Sequence, residues 1–193
     1  MPAVRNLRPG YTITYPNRDK AASQATKLVV VLIMLASVVL MLAITIGGWS
    51  KLQGLNPINF AWCLAYLIIA FYVWRWARGL LPIAAALAML LLIVSLIAGT
   101  GASGASWFDR SGFGYQAPQS LFGGTGLTAD TLGLLTVLLA PVQMLLIFFA
   151  MRGFAQGWNV EVEAPIDKLR ERAGTGRPGG TPAGGTGAPA AAQ

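Results

Sequence analysis

The chain of 193 residues has no histidine and a single cysteine, Cys63. One thiol excludes an intrachain disulfide. The missing imidazole weakens most zinc, copper and haem sites and rules out a haem held by two histidines of this chain. No metal and no cofactor is therefore expected. Cys63 lies inside an apolar run and is read as a small buried or lipid-facing hydrophobe.

Charge is scarce as well. Only 11% of the residues are charged, against 55% hydrophobic, where a soluble domain carries roughly a quarter charged. The mean hydropathy is +0.60. This is the composition of a membrane protein, and its polar residues collect at the two ends and in one internal loop, leaving no second soluble domain. The net charge of +7 comes without any helix-turn-helix, zinc-finger or RNP-like pattern, so nucleic acid is not an expected partner. Excess Lys and Arg in a membrane protein instead serve orientation and attraction to anionic lipid head groups.

Four apolar runs predict an all-α membrane protein with four transmembrane helices. Residues 1–27 are polar and basic and read as a cytoplasmic N-terminal tail. Within them Thr12 to Tyr15, TITY, has strand character, but four residues do not predict a strand. The first span is 28–49, an uninterrupted apolar run of 22 residues whose only hydroxyls are Ser37 and Thr45. About 20 residues at 1.5 Å each cross the hydrocarbon core, so the run suffices. A cleaved signal peptide would have an apolar region of about 7 to 15 residues, which makes this run an uncleaved anchor.

The second span is 60–77, with Trp62 near one end and Tyr72, Trp74 and Trp76 near the other. Such rings favour the water interface, because the body is apolar while the N–H or O–H needs a partner. Trp49, Trp62, Trp74, Trp76 and Trp158, with Arg75, Arg78 and Arg152, are the expected interfacial anchors. Gly79 and Pro82 punctuate a tight hairpin into the third span, 80–99, predicted antiparallel to the second and close to it. Ala61 with Ala65, and Ala84 with Ala88, have the small-xxx-small spacing that lets backbones approach, either within the bundle or against another helix.

Residues 100–130 form a long Gly- and Ser-rich extracytoplasmic loop holding Trp107, Phe108, Phe113, Tyr115 and Phe122. Five aromatics are unusual in a disordered linker, so part of the loop is expected at the interface or packed on the helices. The fourth span is 131–151, with Asp130 and Thr131 available as its N-terminal cap. Residues 152–173 form a cytoplasmic juxtamembrane segment, in which WNVEVE stands in water and Pro165 introduces one or two turns of exposed helix. The last segment, 174–193, is expected to be disordered.

Basic residues divide unevenly between the two sides of this topology. The N-terminal tail, the hairpin turn and the C-terminal region hold twelve, while the first loop and the long loop hold only Lys51 and Arg110. The positive-inside rule then places both termini in the cytoplasm, for a multi-pass protein of the bacterial cytoplasmic membrane. The arrangement resembles that of small four-helix proteins of bacterial inner membranes.

Little in the spans carries chemistry. They contain no Asp, Glu, Lys or His, and their only Arg is Arg75 at an edge. Proton-coupled carriers place an ionisable group near mid-membrane. The glycine-rich segments from Gly99 to Gly104 and from Gly174 to Gly180 lack the strand, the helix and the Gly-Lys-Ser/Thr ending of a phosphate loop. Ser106, Asp109, Arg110 and Ser111 could form a polar cluster beside Trp107, but Asp109 and Arg110 are also plain turn residues and there is no histidine to act as base.

One polar side chain stands out. Gln143, two residues beyond Pro141, lies near the centre of the fourth span, where its amide needs a partner. Pro141 removes a backbone donor there and frees the carbonyl of Val137. Gln143 and Pro141 are the candidate helix-interface or ligand residues. Two functions follow as expectations. The first is a non-enzymatic accessory or assembly subunit of a larger membrane complex, bound to a membrane-protein partner or to itself. The alternative is a small oligomeric channel or transporter with Gln143 near the pathway.

Overall fold

The computed structural model describes residues 9–52, 55–100, 107–109, 119–167 and 169–170. The expected disordered tail, 174–193, and the loop residues Ser106, Arg110, Ser111, Phe113 and Tyr115 lie outside them. The elements are β1 (Tyr11–Thr14), α1 (Ala21–Gly47), α2 (Asn56–Trp74), a single 3-10 turn (Arg78–Leu80), α3 (Leu81–Thr100), α4 (Ala129–Ala155) and β2 (Val162–Pro165). Four helical segments are long and apolar enough to cross a membrane: Ala21–Gly47, Asn56–Trp74, Arg78–Thr100 and Ala129–Ala155. The protein is a multi-pass membrane protein.

The chain divides into two compact units. The smaller holds the described residues before Tyr15 and after Val160. In it β1 pairs antiparallel with β2, Tyr11 opposite Pro165 and Thr14 opposite Val162. The Thr14 hydroxyl adds a bond to the Val162 carbonyl at 3.0 Å. The TITY phrase is thus a strand after all, shifted by one residue, and the second half of VEVE, Val162 and Glu163, belongs to its partner rather than to free chain in water. Neither strand could be predicted alone, because each gets its ladder from the far end of the sequence. Beyond β2 the chain is helical at Ile166, Asp167, Leu169 and Arg170.

The larger unit, Tyr15–Val160, is the helical bundle. α1 buries Val30, Met34, Val38, Met41 and Ile44 at three- and four-residue spacing, the period of one helix face. The same face buries Ser23, Thr26, Ser37 and Thr45, whereas Leu28, Leu32, Leu35 and Val39 point outward. Apolar side chains outside and hydroxyls inside reverse the sorting of a water-soluble helix. They suit a protein whose surroundings are lipid. Three of these hydroxyls bond one turn back, Thr26 to the Ala22 carbonyl, Ser37 to Ile33 and Thr45 to Met41, so those three are satisfied within their own helix.

α1 begins seven residues before the predicted start at Leu28. Ala21, Ala22, Gln24 and Ala25 form helix readily, and the polar Ser23 and Thr26 find cover inside the bundle. Hydropathy alone could not include them. At the start of α4 the cap is also displaced. The Thr128 hydroxyl accepts from the Thr131 backbone N–H at 3.2 Å, and Asp130 sits in the first turn, where a carboxylate complements the helix dipole.

The helix neighbours differ from the hairpin expectation. α3 packs along α4, α1 packs against both α2 and α4, and α2 scarcely touches α3. Small residues explain the α3–α4 preference. A Cβ added at Gly99 would stand 2.6 Å from the Val137 side chain and 3.0 Å from the Gly133 carbonyl, and one at Gly153 would stand 3.1 Å from Leu81. Opposite ends of α3 therefore meet opposite ends of α4, an antiparallel pair in close approach. Ala84 and Ala88 are fully buried, while Ala61 faces outward and Ala65 is half-buried.

The turn between α2 and α3 is closed by Trp76 instead of Gly79. The Trp76 N–H bonds the Val73 carbonyl and the Ala77 N–H bonds the Tyr72 carbonyl, both at 2.9 Å. These are the two bonds of a Schellman cap, whose left-handed position usually holds glycine. Here Trp76 occupies it with φ of 69°.

Candidate functional site

Gln143 is completely buried on α4. Its side-chain nitrogen donates to the Ser37 hydroxyl of α1 at 3.0 Å, and its oxygen accepts from the Tyr66 hydroxyl of α2 at 2.8 Å. Ser37 passes its own proton to the Ile33 carbonyl at 2.9 Å. One amide therefore ties three helices, and the chain of donors ends on a backbone acceptor. Tyr66 and Ser37 are also without exposed surface. In a medium that offers no water to hydrogen-bond, such a set pairs groups that would each be costly alone.

Pro141 does not join this group. Two residues of helix turn it well away from Gln143, and it is exposed while α4 continues unbroken past it. The partners of Gln143 escaped the sequence reading for a reason. Tyr66 was masked by the aromatic crowding of its span and Ser37 by the habit of hydroxyls to bond their own helix. All three stand in the inner part of their predicted spans, a signal too weak to single out Tyr66 and Ser37 from the other polar groups there.

A second cluster gathers where α1 begins and α4 ends. The Arg18 guanidinium donates to the Trp158 carbonyl at 3.2 Å and to the Asn159 side chain at 3.1 Å, and it lies 4.0 Å from the Tyr15 ring. Asn17 donates to the Gly157 carbonyl at 3.0 Å. Gln156 donates to the Thr26 hydroxyl at 2.9 Å and accepts from the Trp158 indole N–H at 2.9 Å. These bonds hold the two chain-terminal ends of the bundle together.

Of the expected interfacial residues, Trp158 has no exposed surface. Its ring stands edge-on to Trp76 at 5.3 Å, packed within the protein instead of against head groups. Trp76 is half-buried under the Lys27 ammonium at 4.0 Å, and the exposed Trp74 is 4.7 Å from the same ammonium. Arg75 is exposed above Phe71, and Arg78 is half-buried 4.4 Å from the Phe154 ring. Arg152 is exposed in the last turn of α4, where a cation suits the dipole. At the opposite end Trp49 meets Phe60 at 6.2 Å, and Trp62 is half-buried one turn before Tyr66.

Cys63 is buried in the core of the bundle. In the long loop Phe108 is buried and Trp107 packs beside it, whereas Phe122 is almost wholly exposed. Among the described residues no three His, Cys, Asp or Glu side chains come together as metal ligands would. No protein-family model, no curated protein and no solved structure matches the chain.

Proposed function

We propose that the protein is a non-enzymatic subunit of a larger membrane complex in the bacterial cytoplasmic membrane, with both termini in the cytoplasm. The observation that carries this is the disposition of polar groups in the bundle. The amide of Gln143 engages Tyr66 through its oxygen and Ser37 through one of its N–H groups, with no exposed surface, which supports a role as a packing lock over one as a pathway lining. The outward placement of Ala61 on α2, one turn from Ala65, leaves a small-residue step on a lipid-facing surface. A helix of a partner can approach closely there. The bonds that join Asn17 and Arg18 to residues 157–159 support placing both ends of the bundle on one face, and the twelve-to-two division of basic residues selects the cytoplasmic side.

Purification from native membranes in mild detergent tests the proposal. The expected result is a discrete assembly in which a second membrane protein stays with the chain, and in which Ala61→Phe releases it. A monomer with nothing bound would overturn the subunit role. Reconstituted protein is expected to pass no ions or small solutes, and a flux abolished by Gln143→Leu would favour a channel instead.

A further inference from the structure

The weak contact between α2 and α3 leaves a cavity of about 300 Å³ at the end of the bundle opposite the Arg18 cluster. Met41 of α1, Leu91 and Ile97 of α3, Leu139 of α4 and Trp107 of the loop line it, with Asn59 of α2 at one side. Its hydroxyls, Ser95 and Thr136, are spoken for by carbonyls of their own helices at 2.8 and 2.7 Å. The wall therefore presents almost no free polarity to a ligand.

Two features say where the cavity opens and how deep it goes. Its rim includes Val94 and Ile97, 55% and 58% exposed, so the mouth is on the lipid-facing side of α3. Along α3 the lining runs from Leu91 to Ala98, two residues from the helix end at Thr100, and on α4 it reaches Leu139, ten residues from the start at Ala129. At 1.5 Å per residue that is a depth of about 15 Å, half of the hydrocarbon thickness and thus one leaflet. Lys51 stands at this end, next in the chain to the lining residue Leu52. Its ammonium donates to the Leu127 carbonyl, which uses one of three N–H groups and leaves two directed elsewhere.

We propose that this cavity is a binding site for one acyl chain of an anionic phospholipid from the adjoining leaflet, with Lys51 beside the phosphate. Hydrophobic transfer supplies little here, because the chain leaves one apolar medium for another. The gain is contact, since an empty void forfeits dispersion on its lining, together with the charge of Lys51. Trp107 and Phe108 close the loop end, with the Trp107 N–H on the Ala98 carbonyl at 3.3 Å.

Vesicles of phosphatidylcholine and phosphatidylglycerol, holding a trace of phosphatidylglycerol with a photoactivatable acyl chain, provide the test. After irradiation, adducts are expected in excess on the peptides of Leu91 to Ala98 and of Trp107 and Phe108, relative to the outward face of α1 at Leu32 and Val39. Ala98→Phe in the wall and Ile97→Trp at the tolerant, exposed rim should each remove that excess. Lys51→Gln should keep the acyl adducts but reduce the advantage of unlabelled phosphatidylglycerol over phosphatidylcholine as competitor by about fivefold, the worth of one surface cation. Uniform labelling of all lipid-facing surfaces, or an excess that survives both filling variants, would overturn the site. An unchanged head-group preference in Lys51→Gln, or palmitate competing as well as phosphatidylglycerol, would overturn the anionic phospholipid as its occupant.

Discussion

The hydroxyl of Tyr66 on α2 donates to the side-chain oxygen of Gln143 on α4 at 2.8 Å, with no exposed surface on either residue. α1 stands against both of these helices and adds Ser37 to the same amide. The bond therefore ties together helices that are far apart in sequence at a depth where water cannot substitute.

Removing either partner orphans the other. Tyr66→Phe and Gln143→Leu should each destabilise the protein, and the double variant should lose less than the two together. Coupling of about 0.6 to 1.7 kcal/mol is expected for an interhelical bond in a membrane protein. Reversible unfolding by SDS titration in mixed micelles measures the cycle. Strictly additive losses would show that the two side chains do not act on one another.

Trp76 offers a test in which glycine and alanine exchange their usual order. Both Trp76→Ala and Trp76→Gly forfeit the edge contact with Trp158 and the cation of Lys27. Only glycine relieves the left-handed backbone at φ of 69°, worth about 1 to 2 kcal/mol. The glycine variant should therefore melt above the alanine variant in thermal unfolding. The reverse order would mean that the turn does not hold Trp76 in that conformation.

Two loop glycines separate backbone strain from crowding. Gly123 and Gly126 both have positive φ, but a Cβ at Gly123 meets nothing within 4 Å, whereas one at Gly126 would stand 2.6 Å from the Gly47 carbonyl. That carbonyl already accepts the Leu127 N–H at 2.9 Å and cannot easily retreat. Gly123→Ala should cost only the conformational term, about 1 to 2 kcal/mol. Gly126→Ala should add an overpacking cost of about 1 to 3 kcal/mol. Equal shifts in unfolding midpoint would argue against the close approach.

The proposed orientation predicts labelling from one side. In a Cys63→Ser background, Ala3→Cys and Ala190→Cys should both react with a membrane-impermeant maleimide only after the cytoplasmic face is opened, while Phe122→Cys should react in intact spheroplasts. Termini reacting from opposite faces would exclude four crossings.

The four membrane-crossing helices were legible because about twenty apolar residues in a row have few other uses. Their boundaries were less so. The first two turns of α1 are written in Ala, Ser, Gln and Thr, which hydropathy reads as loop and which become helix once Ser23 and Thr26 have somewhere to be buried. Gln143 could be singled out from sequence as an amide in need of a partner, whereas Tyr66 and Ser37 could not be chosen among the other polar groups of the spans. Trp158 read as an anchor because tryptophan favours interfaces, and its burial follows from the room that Gly153 leaves for the ring, 3.1 Å from where a Cβ would be.

By itself, then, the sequence determined that the chain lives in lipid, how many times it can cross, and that its spans are almost without ionisable groups. Those properties are sums over local composition, and a run of apolar residues needs no neighbour to be apolar. Only the tertiary structure decided that α3 prefers α4 to its hairpin partner α2, that one amide joins three helices, and that TITY finds a partner strand some 150 residues away. Each of these is a choice among pairings of similar local cost. In lipid such choices turn on backbone approach and hydrogen-bond partners, which exist only once the helices are side by side.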